Sequence, residues 1–266
     1  MKMSPPQFKF KIISVIGVAS MTLASHAATI GIDNASASAY DSGWADGDNG
    51  VISGNAFNAW SLTTEGDGAA GFFIGDSTNL SSPGADINVS GESFGMYAQA
   101  GSVFTQSLAT RFFSSDLSLG QTFSVELAVN FRNGSKGINL LTSGSSNIFN
   151  FDIGGDDYVV SNATTGDGSI ANNDYSSDTS FLLEFTQFDG TGGTWSITRS
   201  GGVTGVDTGT YSGVVGGFSL YVQQTDGGSP NDLYSNSMMI VPEPSTYAMI
   251  AGLAMLTLAL IRCRQK

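Results

Sequence analysis

Hydrophobic and polar positions alternate along much of this chain. Over residues 122–131, Phe123, Val125, Leu127, Val129 and Phe131 fall on one face, and Ser124, Glu126 and Asn130 on the other. A period of two marks a strand with one side buried. Arg132-Asn133-Gly134-Ser135-Lys136 reads as a turn, since Asn-Gly is a strong hairpin signal, and residues 138–141 are expected to return beside the first strand. Phe181, Leu183 and Phe185 alternate in the same way, and Asp189-Gly190 turns them into a second hairpin with Trp195 and Ile197. Phe218, Leu220 and Val222 make another strand that ends at Asp226-Gly227-Gly228. Further short strands are predicted near 59–63, 71–75, 94–99 and 233–240, and no window of the body holds a sustained helical period.

About ten to fourteen short strands over residues 28–241 describe an all-β domain, a two-sheet antiparallel β-sandwich of jelly-roll or concanavalin-like type. Seventeen Phe and three Trp supply large apolar side chains for one core. A pair of smaller sandwiches is the competing arrangement. Gly154-Gly155 is a poor linker between two such units, because strand-like segments flank it closely.

The two ends have a different pattern. Residues 1–27 form a signal peptide: Lys2, Lys9 and Lys11 precede or open an apolar stretch over 12–23, and Ser25-His26-Ala27 sets small residues at the −3 and −1 positions of a cleavage site. At the other end, residues 242–266 begin with Pro242-Glu243-Pro244, run uncharged over 247–261, and close on Arg262-Cys263-Arg264-Gln265-Lys266. As a helix the uncharged run covers about 22 Å, short of the roughly 30 Å of a bilayer core. The basic tail places the C-terminus in the cytoplasm and the body outside.

These three C-terminal parts in this order, behind a signal peptide, resemble the PEP-CTERM sorting signal of Gram-negative bacteria. The resemblance implies export, transient anchoring in the inner membrane through a short transmembrane helix, and processing by signal peptidase and an exosortase. It implies display at the cell surface or in the extracellular matrix, beside extracellular polysaccharide. Pro242, Glu243 and Pro244 would then be the recognition element, and Arg262 and Arg264 the stop-transfer charges; Cys263 interrupts the arginines. Residues 40–50, 131–137 and 151–158 are similar, in order, to sandwich domains that precede this signal.

Charge narrows the function of the body. The chain has 10 basic and 23 acidic residues, but between 28 and 241 only Arg111, Arg132, Lys136 and Arg199 face 22 carboxylates. Such a surface repels nucleic acid and anionic membranes. The single His (His26) and single Cys (Cys263) lie in the end segments, so the body has no disulfide, no Cys/His zinc site and no Ser-His-Asp triad. Lys136, in a predicted turn, is expected to be solvated and a poor base.

Carboxylates remain. Glu65, Glu92, Glu126 and Glu184 lack the closely spaced Glu and Asp partners on one strand that jelly-roll glycosidases use, although Glu126 and Glu184, both on polar strand faces, could meet across a sheet. Asp41, Asp46, Asp48 and Asn49 form an oxygen-rich loop that calcium could use, the candidate cofactor, and Asp152, Asp156 and Asp157 form a second cluster. Ordinary turn capping by Asp and Asn is the alternative for both clusters, and the first loop is the better calcium candidate. Trp44, in a Gly/Asp loop, is the candidate for stacking on a sugar. The leading expectation is a non-catalytic surface or matrix protein. A calcium-dependent carbohydrate-binding module and a glycoside hydrolase or lyase with a dispersed carboxylate pair are the alternatives.

Overall fold

The computed structural model describes residues 30–82 and 84–242. The expected signal peptide at 1–27, and Glu243, Pro244, the expected apolar C-terminal helix, Arg262 and Arg264, lie outside them. Among the described residues no helix is long and apolar enough to cross a membrane.

Two antiparallel sheets form the sandwich. The larger runs in the order β14 (Gly205–Ser212), β13 (Gly192–Ser200), β12 (Thr179–Asp189), β7 (Thr122–Val129), β16 (Leu233–Val241), β1 (Gly31–Asp33) and β2 (Ser53–Gly54). β5 (Ser93–Ala98) pairs with the first residues of β16, and β4 (Ala70–Gly75) pairs with β5. The smaller sheet runs β11 (Gly168–Ser169), β10 (Asp157–Ser161), β9 (Asn147–Gly154), β8 (Ser135–Leu141), β15 (Gly217–Gln223), β6 (Gln106–Phe112) and β3 (Ser61–Glu65). Each sheet takes strands from both halves of the chain, so the body is one sandwich and not two. Gly154-Gly155 sits at the β9–β10 hairpin.

The alternating runs become β7, β12, β13 and β15, and the hairpin at Asp189-Gly190 joins β12 to β13. Their inward faces meet between the layers. Phe123 of β7 stacks on Phe218 of β15 at 4.7 Å, and Phe149 and Phe151 of β9 meet Phe185 and Phe181 of β12 edge-on at 5.0 and 4.9 Å. Each such ring, taken from water, contributes about 1.5–3 kcal/mol.

The hairpin expected at Asn133-Gly134 does not form. β7 pairs with β12 and β16, whereas β8 pairs with β9 and β15, so the connection crosses from one sheet to the other. The alternation also ends sooner than expected, since β7 stops at Val129 and Phe131 is exposed. The turn chemistry is present, with Gly134 at φ +65° and Asn133 Nδ2 donating to Asp226 Oδ2 at 2.6 Å. Lys136 anchors the crossing. It lies in β8 and is buried, its Nζ donating to the carbonyls of Phe131 (2.9 Å) and Asn231 (2.7 Å).

Arg111 is the second inward cation. On β6, it donates from Nε to the Asn58 carbonyl (2.8 Å), from Nη2 to Asn49 Oδ1 (2.7 Å) and from Nη1 to Asp33, while its guanidinium lies over Phe57 and Trp60. Tyr40 donates to the same Asp33 oxygen at 2.6 Å and accepts from Trp60 Nε1 and Gly50 N. Burial, and then the Asp33 charge, push the Tyr40 hydroxyl well above the usual phenol range. This buried cluster ties the first thirty described residues to β6.

Candidate functional site

The outer face of the larger sheet carries the site. Inward residues of β7, β12 and β13 are apolar, so the pleat turns their alternate residues outward. Register then aligns them across strands. Thr122, Thr186, Thr194 and Thr210 stand side by side on β7, β12, β13 and β14, and in the next row stand Ser124, Glu184, Ser196 and Thr208. A third row holds Glu126, Leu182, Thr198 and Val206. Adjacent strands lie about 4.7–4.9 Å apart, so these rows form a close array of hydroxyls.

Over the first two rows lies an open groove of about 540 Å³, with Glu184 in its lining. One wall comes from Thr165, which bridges to Thr210 at the sheet edge; their hydroxyls are 2.9 Å apart and Thr210 N donates to Thr165 Oγ1 at 3.0 Å. Trp195 Nε1 donates to the Thr165 carbonyl at 3.2 Å and fixes that wall from beneath. Gly209 makes the approach possible: a Cβ there would lie 2.2 Å from the Thr165 oxygen and 2.6 Å from the indole. Thr122 and Thr186 share a hydrogen bond of 2.7 Å.

Glu184 is half-buried. Its carboxylate and the hydroxyls of Thr194, Ser196 and Thr208 make no hydrogen bond to any other described residue. Glu126 stands one row down on the neighbouring strand, diagonal to Glu184, because Leu182 faces Glu126 and Ser124 faces Glu184. The sheet therefore brings the two glutamates to one face, with Cα atoms about 7–8 Å apart as diagonal pairs are.

The outer face of the smaller sheet is polar too, but closed. Tyr221 lies across Gly137, its hydroxyl donating to Asp152 Oδ1 (2.7 Å) and accepting from Asn150 Nδ2 (2.8 Å). Asn150 also donates to Asn139 Oδ1 and accepts from Ser161, and Asn147 donates to Asn139 at 2.6 Å. Burial, and then the charge of Asp152, push the Tyr221 hydroxyl far above its ordinary value.

The residues singled out for calcium and sugar are placed otherwise. Asp46 Oδ1 accepts from Leu62 N (2.9 Å) and Asp48 Oδ2 from Ala45 N (2.7 Å), so both carboxylates hold backbone. Asn49 gives its oxygen to the Arg111 guanidinium, which would repel a second cation there. Asp41 is exposed. Among the described residues no three His, Cys, Asp or Glu side chains gather to hold a metal ion, and the Asp41, Asp46, Asp48 and Asn49 donor set does not fit calcium. In the second cluster, Asp152 serves Tyr221 and Ser135, Asp157 serves Tyr158 N and Asn173, and Asp156 occupies the turn at φ +66°.

Trp44 is no sugar platform. It is 5% exposed and packs against Trp60 (5.0 Å), Phe72 (5.4 Å) and Phe94 (4.8 Å), in the core that the Gly/Asp loop caps. Lys136 is not the solvated turn residue its neighbours suggest. Burial pushes its ammonium down to about 8, against the pull of Asp232 and Asp152. Burial likewise raises the Asp232 carboxyl to about 7, Lys136 opposing.

No family model matches the chain, and no curated protein matches it. Solved structures similar to it include an endo-β-1,4-glucuronan lyase from the fungus Trichoderma reesei, at 9% identity over 68% of this chain and 90% of that one, TM-score 0.40. An alginate lyase from Corynebacterium sp. aligns at 16% identity over 60% and 82%, TM-score 0.36. The receptor-binding domain of botulinum neurotoxin type G aligns at 9% identity over 69% and 43%, TM-score 0.34. Likenesses of this size carry nothing about activity.

Proposed function

We propose that this chain is an exported surface or extracellular-matrix protein whose anionic sandwich is non-catalytic and is released from its anchor at the Pro242-Glu243-Pro244 signal. The observation that carries the reading is where the last described strand ends. β16 closes at Val241, paired with Thr122, one residue before Pro242. A cut beyond that point removes none of the described strands of the sandwich. The body also keeps its four cations for itself: Arg111, Lys136 and Arg199 are buried, and Arg132 donates to the Asn173 carbonyl (2.7 Å) and lies over Tyr158. The surface it would offer to its surroundings is then set by carboxylates and hydroxyls.

Intact-mass measurement of protein recovered from the surface or medium of the native cells tests this. The expected mass lacks both residues 1–27 and the apolar stretch at 247–261. Finding Gln265-Lys266 on most molecules would overturn the sorting reading and leave a plain tail anchor.

A second reading has one observation in its favour, the diagonal placement of Glu126 and Glu184. Inverting glycosidases set two carboxyl groups about 6.5–9.5 Å apart. Sugar release that disappears with both Glu126→Gln and Glu184→Gln would establish hydrolysis and displace the non-catalytic reading.

A further inference from the structure

We propose that the groove over β12, β13 and β14 binds a segment of uncharged polysaccharide, with Glu184 as the acceptor at its centre. This deepens the surface-protein reading and rests on it for the setting in which such a polymer is met.

The volume of about 540 Å³ is that of a ligand site. What distinguishes this groove is its unused hydrogen-bonding capacity. Thr194, Ser196 and Thr208 offer hydroxyls that both donate and accept, and the Glu184 carboxylate accepts only. On the opposite face of the sandwich the amides and the tyrosine are occupied with one another. A sugar chain presents hydroxyls that also donate and accept, so it can satisfy both kinds of partner at once. Threonine methyls, with Leu182 and Val206 exposed in the adjoining row, give its C–H faces apolar contact.

The same lining excludes other ligands. No Lys or Arg lines the groove, and the body cations are engaged within the fold. A uronate or phosphate group entering beside Glu184 would meet like charge with nothing to neutralise it. A protein partner needs a dry apolar centre, and rows of hydroxyls do not make one. The chemistry that remains is a neutral, polyhydroxylated chain, laid across the rows.

Affinity electrophoresis of the full chain tests the proposal, in native gels containing dextran, a mixed-linkage β-glucan, galactomannan or alginate, with a polymer-free gel as reference. At least one of the three uncharged polymers is expected to retard the protein, and alginate is not. Thr194→Val combined with Thr208→Val keeps shape and removes two hydroxyls; it should weaken the retardation about tenfold. Glu184→Gln should weaken it less, because the amide oxygen still accepts. Thr63→Val, on β3 in the other sheet, should migrate like the parent. No retardation by any uncharged polymer would overturn the proposal. So would stronger retardation by alginate, or a double variant that folds with an unchanged melting temperature and is retarded like the parent. C-terminal trimming is read by mass alone, so failure of the groove leaves that reading standing, and the reverse.

Discussion

The two outer faces of the sandwich are both polar, and they use their polar groups in opposite ways. On the smaller sheet, Tyr221, Asn150, Asn139, Asn147 and Asp152 form one network, each group spent on another. On the larger sheet, the side chains of Thr194, Ser196, Thr208 and Glu184 stand in two adjoining rows and bond to no other described residue. Side-chain length accounts for the difference. Tyr221 on β15 reaches over β8 to Asn150 and Asp152 on β9, and the amides of Asn139 and Asn150 meet directly opposite one another. Ser and Thr reach only an immediate neighbour across a strand spacing of about 4.8 Å. Polarity at a strand surface is thus no guide to availability. A face of long planar groups closes upon itself, whereas on the hydroxyl face only Thr122 with Thr186 and Thr165 with Thr210 pair, and the others stay open.

If the cost of losing a polar group follows how fully the fold has used it, substitutions should rank from the interior outward. Arg111→Met is expected to cost most, about 3–5 kcal/mol, because it strands Asp33 in the core with Tyr40 as its remaining donor. The midpoint of urea unfolding measures it, and a loss below about 1 kcal/mol would break the ranking. Asn150→Ala comes next, at about 1–3 kcal/mol, since it leaves Tyr221, Asn139 and Ser161 short of a partner.

Lys136 sharpens the same comparison by pH. Its ammonium titrates near 8 in the fold and near 10.5 in the open chain. Between those values the unfolded chain holds the extra proton, so raising the pH strips it and favours the fold. The melting temperature of the parent protein, measured against that of Lys136→Met, should therefore climb from pH 8 to pH 10. Unfolded tyrosines, titrating near 10, begin to oppose this at the top of the window, and the comparison with Lys136→Met cancels their effect. A flat difference would mean that the ammonium is not buried. At the far end of the ranking, Thr194→Val with Thr208→Val should change stability by less than about 0.5 kcal/mol. A larger loss would show that the open face is structural after all.

Strand positions were legible because an apolar residue every second place marks burial regardless of partner, as in β7, β12 and β15. Partnership was not. The turn at Asn133-Gly134 has hairpin chemistry, yet Lys136 carries the chain into the other layer, and a lysine carries no sign in sequence that carbonyls of Phe131 and Asn231 will receive it. β6 shows the limit from another side: its inward residues are Ser107, Ala109 and Arg111, which no hydrophobic period can detect. Trp44 is misplaced by its neighbours, since Gly43 and Asp46 describe the loop and not the indole beneath it. Glu126 and Glu184 were assigned to polar faces correctly, and the diagonal between them is set by the pairing of β7 with β12. The groove itself has only a faint trace in sequence, the hydroxyls at every second residue of β13 and at Thr208 and Thr210. Its existence depends on strands more than fifty residues apart coming into register.

The place of β16 has a consequence for how the molecule comes to be. The last described strand is interior to the larger sheet, with β7 along one side and β1 and β5 along the other. Until residues 233–241 arrive, β1 has no partner but the two-residue β2, and β7 shows a bare edge that another chain could take. A nascent molecule is therefore open down its middle, and contacts as distant as Gly31 with Ile240 must close late. Chains with such long-range pairing fold slowly, in milliseconds to seconds. Assembly of this sandwich has to wait for β16, which makes the interval before that strand docks the time when the chain most needs protection from its own kind.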